Sequence, residues 1–404
     1  MEQREPAQPS RRSALGLLST ASLAASGVLA APAPAAADTG ASRTGRVPKE
    51  LLPGGEFDEF LARRAEQDQF SGTVLLAYRG DPVLTRSYGM ADASRSIRNG
   101  RDTVFGLASL TKIFTALAVG QLVEEDKLKL HETLGAYLDG FSEAAKQVTV
   151  HQLLTHTAGM GHYPNSPDFD DGIRKWASAT EMMDGVMAII RGMEQQPDPV
   201  PGTRHRYSNS GYFILGALVA AVSGQSYHDY VRRHVLAAAG MKRSDLYTRP
   251  QILADRGIAH PYYTQKSGER ADFTTNENFG YVGGPSEGVY ASAPDLLTFV
   301  RALGKGKVLG DEFTELFTSG KVVLAPTDPP VTVGQCRLYG YGFRNTFLGG
   351  RRVLGHSGSG PGRSTNLDIF PGLDWVAVIL SNYDTPVGPI VDKERELITR
   401  LASR

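Results

Sequence analysis

The sequence predicts an α/β fold in which an antiparallel sheet is flanked by helices and an all-helical part is inserted between its strands. Three observations predict it. Strand-like segments stand near the start of the chain, at 71–78 and 82–89. Others crowd its end, after about residue 338. Between them, from Ser109 to about Arg243, most segments read as helical. Strands at both ends with helices between suggest one sheet closed by the two chain ends.

The elements follow in order. Residues 1–37 stand apart: Arg11-Arg12 precedes a weakly apolar run to about Ala31, and Ala35-Ala36-Ala37 offers a small-residue cleavage site. That is the pattern of a twin-arginine signal peptide, too short and too rich in Ser, Gly and Ala to span a bilayer. Polar residues 38–50 read as a linker. Residues 57–69 predict a helix, and the strands at 71–78 and 82–89 turn around Arg79-Gly80-Asp81. Ser292-Ala293-Pro294-Asp295 reads as a capping box ahead of a helix over 296–303. Strands are predicted at 338–347, 352–355, 365–370 and 375–381, with a turn at Pro371-Gly372-Leu373-Asp374, and a closing helix at 387–402.

Composition excludes several functions. Lys plus Arg and Asp plus Glu both number 43, so the formal net charge is zero and there is no basic stripe for nucleic acid. Metal-ligand spacings, a dinucleotide fingerprint and a phosphate loop are absent from the sequence. The expectation is therefore no cofactor, no metal and no membrane span. The lone Cys336 cannot form an internal disulfide, which suits a chain exported already folded.

The chemistry is concentrated in three short stretches. Ser109-Leu110-Thr111-Lys112 occurs where a loop enters an amphipathic helix. Positions three apart share a helix face, so hydroxyl and amine can touch. A hydroxyl is a poor nucleophile until a base takes its proton, and a desolvated amine can be that base. Such a short pattern arises by chance about once in a chain of this length. The second stretch, Tyr207-Ser208-Asn209, lies at the mouth of an apolar helix. Its Tyr can relay protons and its Asn can hold a carbonyl or the Lys. Taken alone it reads more simply as a capped helix, with Asn209 or Ser210 as N-cap. The third, Gly355-His356-Ser357-Gly358-Ser359-Gly360, precedes strands, where glycines admit a substrate backbone and free N–H groups can bind an oxyanion. It does not match the G-x-S-x-G nucleophile elbow.

Ser-x-x-Lys, Tyr-x-Asn and His-x-Gly in this order resemble the branch of serine β-lactamase and penicillin-binding-protein-like enzymes that holds class C β-lactamases, secreted D-alanyl-D-alanine carboxypeptidases and family esterases. The flanks Thr103–Ala108, Val150–Gly159 and Gly355–Gly362 belong to the likeness, which spans nearly all of the chain after its first segment. The resemblance implies a β-lactamase/DD-peptidase-like fold in a catalytic domain at 51–404. Its α/β part would be about 51–105 and 285–404, and its helical part about 106–284. It implies an exported serine hydrolase, with Ser109 as nucleophile and Lys112 and Tyr207 sharing the base role. Asn209 would orient the substrate carbonyl and Lys112, and His356 would support Tyr207 in the place of a lysine. The Ser109 and Ser359 N–H groups would form the oxyanion hole. Gly358 and Arg344 would contact substrate, Arg344 as partner of a carboxylate, and Tyr163 and Phe169 could line the acyl pocket. No Glu can be assigned from the sequence to activate a deacylating water.

The expected substrate is a small molecule or peptide: a D-alanyl-D-alanine peptide or another D-amino-acid peptide or ester. The chain is expected to act as a monomer. An acyltransferase or peptide cyclase on the same Ser-Lys-Tyr machinery is the alternative, and a non-catalytic penicillin-binding receptor is a third.

Overall fold

A computed structural model of the chain describes residues 47–193, 202, 204–324 and 336–401. The expected leader at 1–37 and linker residues 38–46 lie outside them. The end of the linker does not stay irregular: Lys49–Leu51 forms a 3-10 turn, and Leu51 is buried against Phe57 and Leu61.

Both chain ends build one eight-stranded antiparallel sheet. Its strands are β1 (Gly72–Tyr78), β2 (Asp81–Tyr88), β3 (Val322–Val323), β4 (Cys336–Tyr339), β5 (Arg344–Leu348), β6 (Arg351–Gly360), β7 (Arg363–Phe370) and β8 (Trp375–Ser381). The order across the sheet is β2-β1-β8-β7-β6-β5-β4-β3. The ends meet where β1 pairs with β8 in the register Leu75↔Val378. Period-two alternation then divides the side chains between two cores. Val74, Leu76, Ala377 and Ile379 face helices α1 (Glu56–Glu66) and α5 (Gly388–Leu401), meeting Phe57, Leu61, Ile390 and Leu397. Leu75, Ala77, Val376, Val378 and Leu380 face the larger core, with Phe114, Phe299 and Tyr212.

Helix α2 (Thr111–Glu124) lies at the centre of that core. It is not amphipathic: Thr111 to Gly120 and Leu122 are all buried. A helix buried all round needs no polar stripe, and α2 is enclosed by helix α3 (Asn209–Ser223) on one side and by the turn at Gly342 on another. The strand expected over 338–347 is in fact a hairpin, β4 and β5, turning at Gly340–Phe343. Gly342 sits there at φ +77°, and a Cβ on it would stand 2.7 Å from the Lys112 carbonyl. Glycine thus lets the hairpin rest on α2 beside Lys112. The strand expected at 352–355 runs on to Gly360, because β7 pairs with it from Leu354 to Gly360. Helix α4 (Ala293–Leu303) is capped by Ser292, whose Oγ accepts from Asp295 N–H at 3.3 Å. Asp295 does not complete a box. Its carboxylate accepts instead from the Lys242 and Arg243 N–H groups and the Ser244 hydroxyl.

Candidate active site

Ser109 sits in a 3-10 turn, Ala108–Leu110, that leads directly into α2. Ala108 is held at φ +48°, a region that costs a non-glycine residue about 1–3 kcal/mol and persists only when its surroundings enforce it. The surroundings are on both sides. The Leu107 carbonyl accepts from Thr365 Oγ1 at 2.8 Å, and Leu107 N–H donates to the Val289 carbonyl at 2.9 Å. A Cβ on Gly358 would lie 2.1 Å from the Leu107 oxygen and 3.1 Å from Ala108 Cβ. Gly358 is therefore glycine because β6 presses on the turn that carries Ser109, a packing reason independent of any contact with substrate.

The Lys112 amine is fully buried and has three partners: Ser109 Oγ at 3.1 Å, Asn209 Oδ1 at 2.9 Å and the Ser286 carbonyl at 2.8 Å. As an ammonium it donates to all three. As a free amine it keeps its two N–H bonds to Asn209 and Ser286, and its lone pair is left facing the Ser109 hydroxyl. Burial pushes its pKa down to about 7; Glu287 opposes this and Arg344 assists it. A lysine in that state can take a proton from serine. Asn209 also anchors the start of α3, its N–H donating to His162 Nδ1 at 3.3 Å. The N-cap of that helix is Ser208, not Asn209 or Ser210. Ser208 Oγ accepts from Gly211 N–H, which leaves the Asn209 side chain free for Lys112.

Tyr207 covers the other side of the amine, with Lys112 Nζ 4.8 Å from its ring centroid. Its hydroxyl is buried and, among the described residues, has no hydrogen-bond partner of normal geometry. Burial raises its pKa to about 12; Ser109 is close enough to oppose the rise. In the resting site Lys112, not Tyr207, is thus the group ready to accept a proton.

His356 makes no hydrogen bond to Tyr207, whose ring centroid is 6.4 Å away. It belongs to a buried chain of hydrogen bonds. Ser208 N–H donates to His156 Nδ1 at 3.1 Å, so His156 Nε2 carries the proton and faces Tyr339 Oη at 3.1 Å. The Tyr339 hydroxyl can then donate to His356 Nε2 at 3.2 Å, and His356 Nδ1–H to the Ser357 carbonyl at 2.6 Å. Each imidazole is singly protonated, and burial holds both pKa values well below the ordinary range. His356 is consequently a neutral tie between the Tyr207 loop and β6 and carries no positive charge. His156 and Tyr339 were not legible as site residues. They lie 183 positions apart, and no local spacing joins them.

These tautomers have a measurable consequence. His151, His156, His162, His205, His228 and His356 all have pKa values lowered chiefly by burial. Unfolding returns each to about 6.5. Below that pH the unfolded chain binds more protons, so stability is lost as pH falls. Glu394 acts in the opposite sense, since burial and Asp368 raise its pKa, but it is a single group. The urea midpoint is expected to be lower at pH 5 than at pH 7. A midpoint that rises on acidification would contradict the assignment.

Two cavities meet at this centre, and Ser359 lines both. One, of about 560 Å³, holds Ser109, Asn209, Tyr163 and Phe169, the last two edge-to-face at 4.9 Å. The other, of about 930 Å³, holds Tyr207, His356, Ser357 and Arg344. Arg344 is exposed on β5, and its guanidinium donates to Ser357 Oγ at 3.1 Å. Glu287 also reaches the first cavity, although nothing in its sequence surroundings marked it.

Residues 57–400 match the family described as Beta-lactamase. The chain belongs to this family. Membership makes it a serine hydrolase of the β-lactamase/DD-peptidase-like fold, with the antiparallel sheet and flanking helices described above. Penicillin-binding protein 4* of Bacillus subtilis (strain 168) is 28% identical over 372 residues, 84% of this chain and 79% of that protein. Teichoic acid D-alanine hydrolase of Staphylococcus aureus is 27% identical over 172 residues, 43% of this chain and 39% of that protein. Among solved structures, an octameric penicillin-binding protein homologue from Pyrococcus abyssi aligns with a TM-score of 0.75 at 25% identity. That alignment covers 86% of this chain and 78% of the other. Among the described residues of this β-lactamase family member, no helix is long and apolar enough to cross a membrane.

Proposed function

We propose that the protein is an exported hydrolase that forms an acyl-enzyme on Ser109 and cleaves D-aminoacyl peptides, amides or esters. The observation that carries this reading is the Lys112 amine, fully buried, 3.1 Å from Ser109 Oγ and lowered to a pKa of about 7. Lys112 takes the hydroxyl proton as Oγ attacks the carbonyl. The Ser109 and Ser359 N–H groups receive the oxyanion, and Asn209 holds Lys112 in place. The proton returns to the leaving group through Lys112 or Tyr207, and water then releases the acyl group. A relative named teichoic acid D-alanine hydrolase supports the D-aminoacyl part of the reading. The Arg11-Arg12 pair supports export by the twin-arginine route. All the groups named come from one chain, so a monomer suffices for this chemistry.

A fluorophosphonate or β-lactam trap with peptide mapping tests the nucleophile. One adduct is expected, on the peptide that holds Ser109. An adduct on Ser357 or Ser359 would sink the assignment.

Arg344 tests the carboxypeptidase form of the proposal. If the leaving group ends in a carboxylate, Arg344→Ala should raise KM for a D-Ala-D-Ala peptide about tenfold to a hundredfold while sparing a neutral ester, the scale of a charge-assisted hydrogen bond. Equal effects on both substrates would make Arg344 a structural partner of Ser357.

A further inference from the structure

We propose that the acyl half of the substrate carries a positively charged amine and that Glu287 receives it. The inference rests on the acyl-enzyme reading above and names the substrate class it serves.

The backbone places Glu287 directly. The Ser286 carbonyl accepts from the Lys112 amine, and the next side chain enters the cavity of about 560 Å³ that contains Ser109. The carboxylate is held from three sides. Oε1 accepts from Gly284 N–H at 3.2 Å, and Oε2 accepts from the Tyr163 hydroxyl at 3.3 Å and from Ser286 Oγ. These donors are neutral. Among the described residues, none of the salt bridges involves Glu287. Two carboxylate oxygens can accept about four hydrogen bonds, so a further donor can be taken.

The rest of the cavity suits an organic cation. Tyr163, Phe169, Trp176 and Tyr281 contribute aromatic walls, and aromatic faces attract ammonium groups. Asp170 adds a second carboxylate at the exposed rim. Among the described residues the one competing cation on the lining, Arg363, packs beside Gly106 and Tyr290. Its charge bears on Tyr290, whereas the charges that bear on Lys112 are those of Glu287 and Arg344. The volume lies within the range of small-molecule pockets, with room for an aminoacyl side chain.

Glu287 also works against the base. Its negative charge favours the ammonium form of Lys112, which cannot accept the Ser109 proton. A substrate ammonium seated on Glu287 cancels that charge and favours the free amine. Binding of the intended substrate therefore helps to prepare the base. A neutral acyl group leaves Glu287 uncompensated and gains neither the contact nor the shift.

The test uses three esters with one leaving group: an aminoacyl ester with a free amine, its N-acetyl derivative and the analogue with no amine. Wild-type enzyme should have the highest kcat/KM on the free amine. Glu287→Gln should lower the ratio of kcat/KM for the free-amine ester to that for the amine-free ester by about tenfold to a hundredfold. Taking the ratio removes any effect on Lys112 that is common to all three substrates. An unchanged ratio, or a wild-type preference for the N-acetyl ester, would overturn the inference while a trap on Ser109 still upheld the acyl-enzyme. An equal fall on every substrate would also overturn it and make Glu287 a partner of the base or of the deacylating water. A second measurement needs no variant. A 1-aminoalkylboronic acid should inhibit wild-type enzyme more tightly than its N-acetyl form, and the reverse order would overturn the proposal. Failure of Ser109 to be labelled at all would instead bring down the acyl-enzyme reading.

Discussion

Replacing Lys112 by methionine is expected to lower kcat/KM about a hundredfold or more, the scale of losing a general base. Methionine is the sharper substitution. Lys112 is among the largest fully buried side chains, and alanine would also cut a cavity into the core, which costs about 2–5 kcal/mol on its own. Methionine keeps most of the volume and removes the nitrogen. It leaves Asn209 Oδ1 and the Ser286 carbonyl without their donor, at about 1–3 kcal/mol for each unsatisfied group. It also removes an amine whose charged form is disfavoured by burial. The two effects oppose each other, so the fold should survive while turnover does not. Wild-type kcat/KM should rise as pH climbs through about 7, where Lys112 becomes a free amine. A flat profile from pH 6 to 8.5, or near-native rates in the methionine variant, would remove Lys112 from the base role.

The parts of this site that could be read from the sequence are those whose geometry is local. Ser109 and Lys112 share one helix face because they are three residues apart, and their contact follows from the helix repeat alone. Tyr207 and Asn209 came into view through their place at a helix mouth. The strands β1 and β8 were legible because Gly and Asp mark the turns beside their apolar runs. What was not legible depends on tertiary enclosure. Helix α2 looks amphipathic until it is known that layers cover nearly every face of it. His356 looks like a cation near Tyr207 until Tyr339 and the Ser357 carbonyl are seen to fix it neutral. Glu287 is one acidic residue in a glycine-rich loop, and only the fold turns it toward Ser109. Such residues take their chemistry from neighbours far away in the chain.

Tyr207→Phe is expected to lower turnover by about a hundredfold or more without loss of stability, and the pairing of the two results is what makes it informative. The Tyr207 hydroxyl is buried, close to Ser109 but with no hydrogen bond of normal geometry among the described residues. A buried polar group without a partner costs about 1–3 kcal/mol, so its removal should leave the melting temperature unchanged or raise it. Phenylalanine keeps the ring that stands over Lys112 and against His156, at centroid distances of 4.8 Å and 4.3 Å. An oxygen that weakens the resting fold, placed close enough to Ser109 to affect its own pKa, is accounted for if its partner arrives only during the reaction. In the proposed mechanism, the proton leaving Ser109 and the proton entering the leaving group both pass through that space. With a pKa of about 12, Tyr207 is poorly suited to start the reaction, but it can hand on a proton that Lys112 has already taken. The loss should therefore be larger with an amide, whose leaving group must be protonated, than with an activated ester, whose leaving group need not be. Equal losses on the two would assign Tyr207 to the attack step and return it to the base role beside Lys112. Near-native rates on both would remove it from the mechanism.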